Sequence, residues 1–241
     1  MTRVILENII QLIIVLPIVL FTMKVRKLEN LKVLLAFSIF FILNGVLLYL
    51  PIKYDELRII SGKWNWNGKI FAVLGAVIFL LVYKKFDLKD YFLTFKQDKK
   101  YLKKGIIIIT SIFILSSVLN LVFNPSSREW DVETLLFQLT MPGINEEIAY
   151  RGIMLGLLAK ILKPNRILHP AIIVTAILFG MAHGLSLDSN LELVFNAAPF
   201  FGTLVLGIIW AWITLKTGSI LLALISHNLG NVADALIGMS K

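Results

Sequence analysis

The sequence predicts an all-α, polytopic membrane protein: a bundle of about eight transmembrane helices, with an interfacial or re-entrant helix before the fifth. Three observations predict it. Of 241 residues 58% are hydrophobic and the mean hydropathy is +0.83, whereas a soluble domain is closer to half apolar. The apolar residues gather in runs close to the length of about 20 that crosses a bilayer. Charged residues, 16% of the chain, fall mostly between those runs.

The first run, Ile5–Met23, has no small-residue cleavage site behind it and is followed by further spans, so it reads as an anchor rather than a cleaved leader. Leu31–Leu50 is the second. Trp66–Tyr83 is the third, weakened by Lys69, and Ile106–Phe123 is the fourth. Ile144–Leu162, the short Pro170–Gly184, Ala198–Leu215 and Ser219–Ile237 complete the eight. A short or polar helix survives inside a bundle, where protein and not lipid surrounds it. The amphipathic stretch EWDVETLLFQLT, Glu129–Thr140, stops at Met141-Pro142-Gly143 and supplies the interfacial or re-entrant piece. KKFDLKDYFLTFKQDKKYLKK, Lys84–Lys104, is basic and amphipathic and suits an anionic membrane surface. With no internal repeat or low-complexity tract, residues 1–241 are expected to form a single membrane domain. Four N-terminal helices fill 1–123, and a core in 132–238 carries the motifs described below.

Most of the 24 Lys and Arg fall in the loops joining helices one to two, three to four, five to six and seven to eight. The positive-inside rule then puts both termini outside the cytoplasm. Short loops and a lysine-rich inner face point to a multi-pass protein of a bacterial plasma membrane. The net charge of +9 is accounted for by this lipid-facing bias, and no nucleic-acid-binding motif accompanies it. Zero cysteines exclude disulfides, thiolate metal sites and a cysteine nucleophile.

Within the predicted spans lie Glu146, Glu147, Arg151, His183, His227, Asn228, Asn231 and Asp234. Such groups are costly in hydrocarbon and persist where they pair, line a wet cavity or do chemistry. Counting along the helices places Glu146 near the start of the fifth, His183 near the end of the sixth, and His227 and Asn231 partway along the eighth. The three polar sets converge on one layer whichever side is called outside. Glu147 and Arg151 stand at i and i+4, where a carboxylate and a guanidinium pair. Glu146, about 100° around the helix, lacks that partner. Taken singly, Glu147–Arg151 reads as a packing ion pair, His183 as a hydrogen-bonded interior residue, Phe179 as core, and Asn228 and Asp234 as structural. Their common depth is what those separate readings do not explain. A base–histidine pair opposite two donors can add water to a carbonyl and hold the oxyanion.

EEIAYR (Glu146–Arg151), FGMAH (Phe179–His183) and HNLGN (His227–Asn231) follow the patterns EExxxR, FxxxH and HxxxN, in that order, on separate helices. In this the chain resembles the CAAX protease and bacteriocin-processing (CPBP, or Abi) family of intramembrane proteases, relatives of the Ras-converting CAAX endopeptidase. The resemblance implies an intramembrane glutamic endopeptidase. Glu146 and His183 would activate water, His227 and Asn231 would form the oxyanion hole, and Glu147 with Arg151 would support the site. It implies no cofactor. Older descriptions made the family metalloproteases, but HExxH is absent and a metal-free mechanism is the expectation. A peptide or membrane-protein segment is the expected substrate, and the lipid bilayer the expected environment. Two other functions remain open: a non-catalytic bacteriocin-immunity or sensor-scaffolding protein, with a sensor or bacteriocin-system partner, and a small proton-relay transporter, which the lack of repeat symmetry disfavours.

Overall fold

The computed structural model describes residues 1–123, 127–165 and 167–241. It is a helical bundle built from α1 (Thr2–Thr22), α2 (Leu28–Lys53), α3 (Trp66–Val82), α4 (Lys99–Phe123) and α5 (Val132–Glu146). A π-helical segment (Glu147–Met154), α6 (Leu155–Ile161), α7 (Pro170–Gly184), α8 (Ala197–Thr217) and α9 (Leu221–Met239) follow. Five of these helices, α1, α2, α4, α8 and α9, are long and apolar enough to cross a membrane, and α3 and α7 are shorter apolar helices. The chain is a multi-pass, polytopic membrane protein.

Local chemistry sets the helix ends. Asn65 caps α3 by accepting from the Gly68 amide at 3.0 Å, and Asp131 caps α5 by accepting from the Glu133 amide at 3.2 Å. Pro170 starts α7, where its missing N–H costs nothing. Gly218 ends α8 with φ 77°, a left-handed backbone that glycine adopts without strain.

One expectation needs correction. The break at Met141-Pro142-Gly143 does not exist: Pro142 lies inside α5, which continues through the π segment into α6. The segment read as interfacial or re-entrant, Glu129–Thr140, therefore belongs mostly to the same rod as the fifth helix. Stretches of 15, 8 and 7 residues run end to end, about 45 Å at 1.5 Å per residue. Glu146, expected near a helix start, sits at the middle of that rod. Beside the proline a side chain from another helix bonds the rod's backbone: Asn228 Oδ1 accepts from the Gly143 amide at 2.8 Å. Residue 143 must be small, since a Cβ there would run into the Asn228 amide.

This rod is the axis of the bundle. Ile153, Met154, Leu155, Leu157, Leu158 and Ile161 are all at most 1% exposed, so apolar residues on every face are met by protein. Helices α2, α3, α7 and α9 pack on it, while α4 lies outside against α8 and α9. The lower half of the rod is thus shielded by α2 and α7, which explains how charged residues at its midpoint escape lipid.

Contacts between loops sort into two ends, as alternating spans require. At the basic end the Lys24 amide donates to Ile161 O at 2.8 Å, the Ile220 amide donates to Phe92 O at 3.1 Å, and Lys160 pairs with Asp90 at 2.7 Å. At the other end the Leu187 amide donates to Glu7 at 2.8 Å and the Arg128 amide to Gly238 O at 2.9 Å. There a small antiparallel hairpin, β1 (Leu185–Leu187) with β2 (Leu193–Phe195), joins α7 to α8. The segment between α2 and α3 folds over this end. Trp64 and Trp66 pack on Phe137, and Glu133 accepts from the Lys63 amide at 2.9 Å and the Trp66 indole at 3.1 Å.

Candidate active site

The rod turns from α to π geometry between Glu146 and Glu147. A π turn closes i→i+5 bonds and is wider than an α turn, and two successive carboxylates emerge here towards one imidazole, one of them bonded to it. Glu147 Oε1 lies 2.7 Å from His227 Nδ1, and Glu146 Oε2 lies 3.8 Å from Nε2 of the same ring. His227 reaches them from α9. Trp210 of α8 stacks on its face at 4.6 Å and 17°, and Trp210 in turn donates its indole N–H to Ser226 at 3.2 Å.

His183, from α7, approaches from another side. Its Nδ1 lies 2.8 Å from the Phe179 carbonyl, and its Nε2 lies 3.8 Å from Glu146 Oε2. A carbonyl only accepts, so Nδ1 carries the proton and Nε2 of the neutral ring is an acceptor. The His227 Nδ1, bonded to a carboxylate, is likewise the donor. Both Nε2 atoms face one oxygen, Glu146 Oε2, which is buried and has no hydrogen-bond partner among the described residues. Separations of 3.8 Å are too long for direct hydrogen bonds but suit a bridging molecule.

The other oxygen of Glu146 is occupied. Lys69, in the first turn of α3, places Nζ 2.5 Å from Oε1, and the two side chains are 13% and 14% exposed. Sequence reasoning saw Lys69 only as a defect in the third span and left Glu146 without a cation. Behind the site, Arg151 Nε lies 3.3 Å from Glu147 Oε2, with side chains 1% and 0% exposed. The guanidinium also stands 4.0 Å from the Phe179 ring centroid and 5.2 Å from that of Trp210. Phe179, read as core, thus touches Arg151 and both histidines.

A cavity of about 480 Å³ opens over these groups, lined by Glu146, His183, His227, Asn231 and Lys69, with Trp64 of the overlying segment among its walls. The structure therefore brings Glu146, His183 and His227 to one point, puts Asn231 on the same cavity wall, and sets Glu147 and Arg151 behind His227. Asn228 faces elsewhere, pinning α5 through Gly143 and the Thr140 carbonyl, and Asp234 accepts from Asn120 of α4 at 2.7 Å. Lys69 and Trp210 were missed. Trp210 carried one usable signal, a tryptophan deep within a span and far from the interfacial belts where indoles usually sit. Among the described residues no group of three His, Cys, Asp or Glu is arranged to hold a metal ion.

Comparison with known proteins returned one family. Residues 128–233 match the Rce1-like family, described as type II CAAX prenyl endopeptidase Rce1-like. No curated protein and no solved structure matches the chain. The matched segment contains all three motifs and every group around the cavity except Lys69 and the segment before it. That segment is 106 of the 241 residues, and over it the chain is similar to the CAAX-protease type of intramembrane endopeptidase.

Proposed function

We propose that this protein is a glutamic intramembrane endopeptidase in which Glu146 and His183 activate a water molecule. The observation that carries the reading is Glu146 Oε2: buried, unpartnered, and equidistant from two imidazole Nε2 atoms. A water seated there gives one proton to the carboxylate while its oxygen attacks the scissile carbonyl carbon, and His183 Nε2 accepts its second hydrogen bond. The tetrahedral oxyanion receives hydrogen bonds from the Asn231 amide and the His227 Nε2–H. His227 can donate from Nε2 while Nδ1 donates to Glu147 only as the doubly protonated imidazolium, and the buried Glu147 carboxylate is the counter-charge for that form. Collapse of the intermediate breaks the C–N bond, and the leaving nitrogen takes the proton held by Glu146.

Activation by carboxylate rather than by a metal is supported by Lys69. Its ammonium already neutralises Glu146 from 2.5 Å, and a divalent cation bound to the other oxygen would stand within a few ångströms of a buried like charge. The substrate we favour is a peptide or membrane-protein segment entering at the end opposite the basic loops, where Trp64 and Asn65 border the cavity. Comparative peptidomics of membranes carrying wild-type protein or Glu146→Gln tests both points. The variant should accumulate one or a few uncleaved peptides that wild type removes. Identical peptide sets from the two membranes would defeat the proposal.

A further inference from the structure

The family match begins at residue 128, yet the carboxylate at its centre is held by a residue well before it. We propose that Lys69 is a positioning residue for Glu146, pinning Oε1 so that Oε2 alone is presented to the two histidines. The inference rests on the reading of Glu146 as the base.

The two carboxylate oxygens divide their labour. Oε1 is bonded to the Lys69 ammonium, and Oε2 has no partner although it is buried. A glutamate's terminal torsion is broad and roughly two-fold, so without an anchor either oxygen, at a range of tilts, would face the imidazoles. A strong charge-assisted bond on one oxygen removes that freedom. The anchor is itself fixed. Asn65 caps α3 one turn earlier, with its amide donating to Leu48 O of α2 at 2.9 Å. Asn67 is held to the overlying segment by bonds to Ile59, Ile60 and the Ile60 carbonyl. The start of α3 is thus braced against α2 and the segment that roofs the cavity, and Lys69 transmits that bracing to the base. The other charged or titratable groups around Glu146 are His183, His227, Glu147, Tyr150 and Arg151, and among the described residues the hydrogen bond to Oε1 comes from Lys69.

The test compares Lys69→Met and Lys69→Arg with wild type in the full-length detergent-solubilised protein. The probe is the quenched fluorogenic peptide that wild type cleaves fastest in a random-sequence set. Misplacement of a base by about 1 Å costs roughly 100-fold, so Lys69→Met should lower kcat about 10- to 100-fold and leave KM within about threefold. Lys69→Arg should recover most of the loss. Lys69→Gln, polar and uncharged, should behave as Lys69→Met if the methionine variant does not fold. A kcat within threefold of wild type in the Met or Gln variant would overturn the proposal, as would a loss carried by KM alone or one not recovered by arginine. Failure of the underlying reading looks different: Glu146→Gln would then cleave the peptide as fast as wild type.

Discussion

Replacing Glu147 by Gln separates what the buried ion pair does for stability from what it does for the site. Glu147 is 0% and Arg151 1% exposed in their side chains, so neither has solvent to fall back on. An amide of the same shape removes the negative charge and leaves the guanidinium uncompensated, a change that costs about 3–5 kcal/mol in buried pairs. Stabilities are typically about 5–15 kcal/mol, so the variant should unfold at visibly lower temperature or denaturant. Adding Arg151→Met removes the stranded cation and should recover most of the stability, because buried pairs can often be exchanged for apolar residues of similar volume at little net cost. Activity should not return with it. His227 Nδ1 would still face an amide in place of a carboxylate 2.7 Å away, and the ring would lose the charged acceptor that orients it. Thermal unfolding and peptide cleavage on wild type, both single variants and the double variant complete the cycle. If the double variant is as unstable as Glu147→Gln, or regains wild-type cleavage, the assignment of Glu147 to both partners is wrong.

Two further outcomes are expected. Asn228→Ala strips the partners from the Gly143 amide and the Thr140 carbonyl beside Pro142, and should destabilise by about 1–3 kcal/mol in a denaturation assay, while cleavage per folded molecule stays within several-fold of wild type. Asp90, in the basic loop, is pushed up by partial burial but held below its ordinary value by Lys160 and the Asp87 amide. Its folded value is thus the lower one, so its stabilisation is present above about pH 4 and is lost as pH falls through that folded value. Hydrogen exchange at residues 87–91 should therefore quicken as pH falls below about 4, after correction for intrinsic rates, and Asp90→Asn should show the quicker exchange at neutral pH.

Helices whose cause is local were legible in the sequence. The span expected at Ala198–Leu215 is α8, Ala197–Thr217, because an apolar run of bilayer length has one economical conformation in lipid. The rod through Pro142 was not legible. Proline ends most helices, and the Asn228 side chain that bonds the rod beside it comes from 85 residues further along. The hairpin at Leu185–Phe195 was missed because three-residue strands carry too little alternation to register. That Glu146, His183, His227 and Asn231 line one cavity was legible from motif spacing, since i and i+4 relations and shared depth are readable from a string. Lys69 was hidden by a separation of 77 residues and by the rotation of α3 about its own axis, which hydropathy does not set. The hold of Glu147 on His227 was hidden in the same way: the pair with Arg151 is local, and the bond to α9 is not.

The enclosed rod has a consequence for biogenesis. A segment bearing Glu146, Glu147 and Arg151 at its midpoint is a poor candidate for spontaneous partitioning as it leaves the translocon. Its natural route is to be received by α1–α4, which are synthesised first and already carry Lys69. Residues 128–233 produced alone would lack that reception and should be degraded or left outside the bilayer. Supplying 1–123 as a separate polypeptide should rescue them.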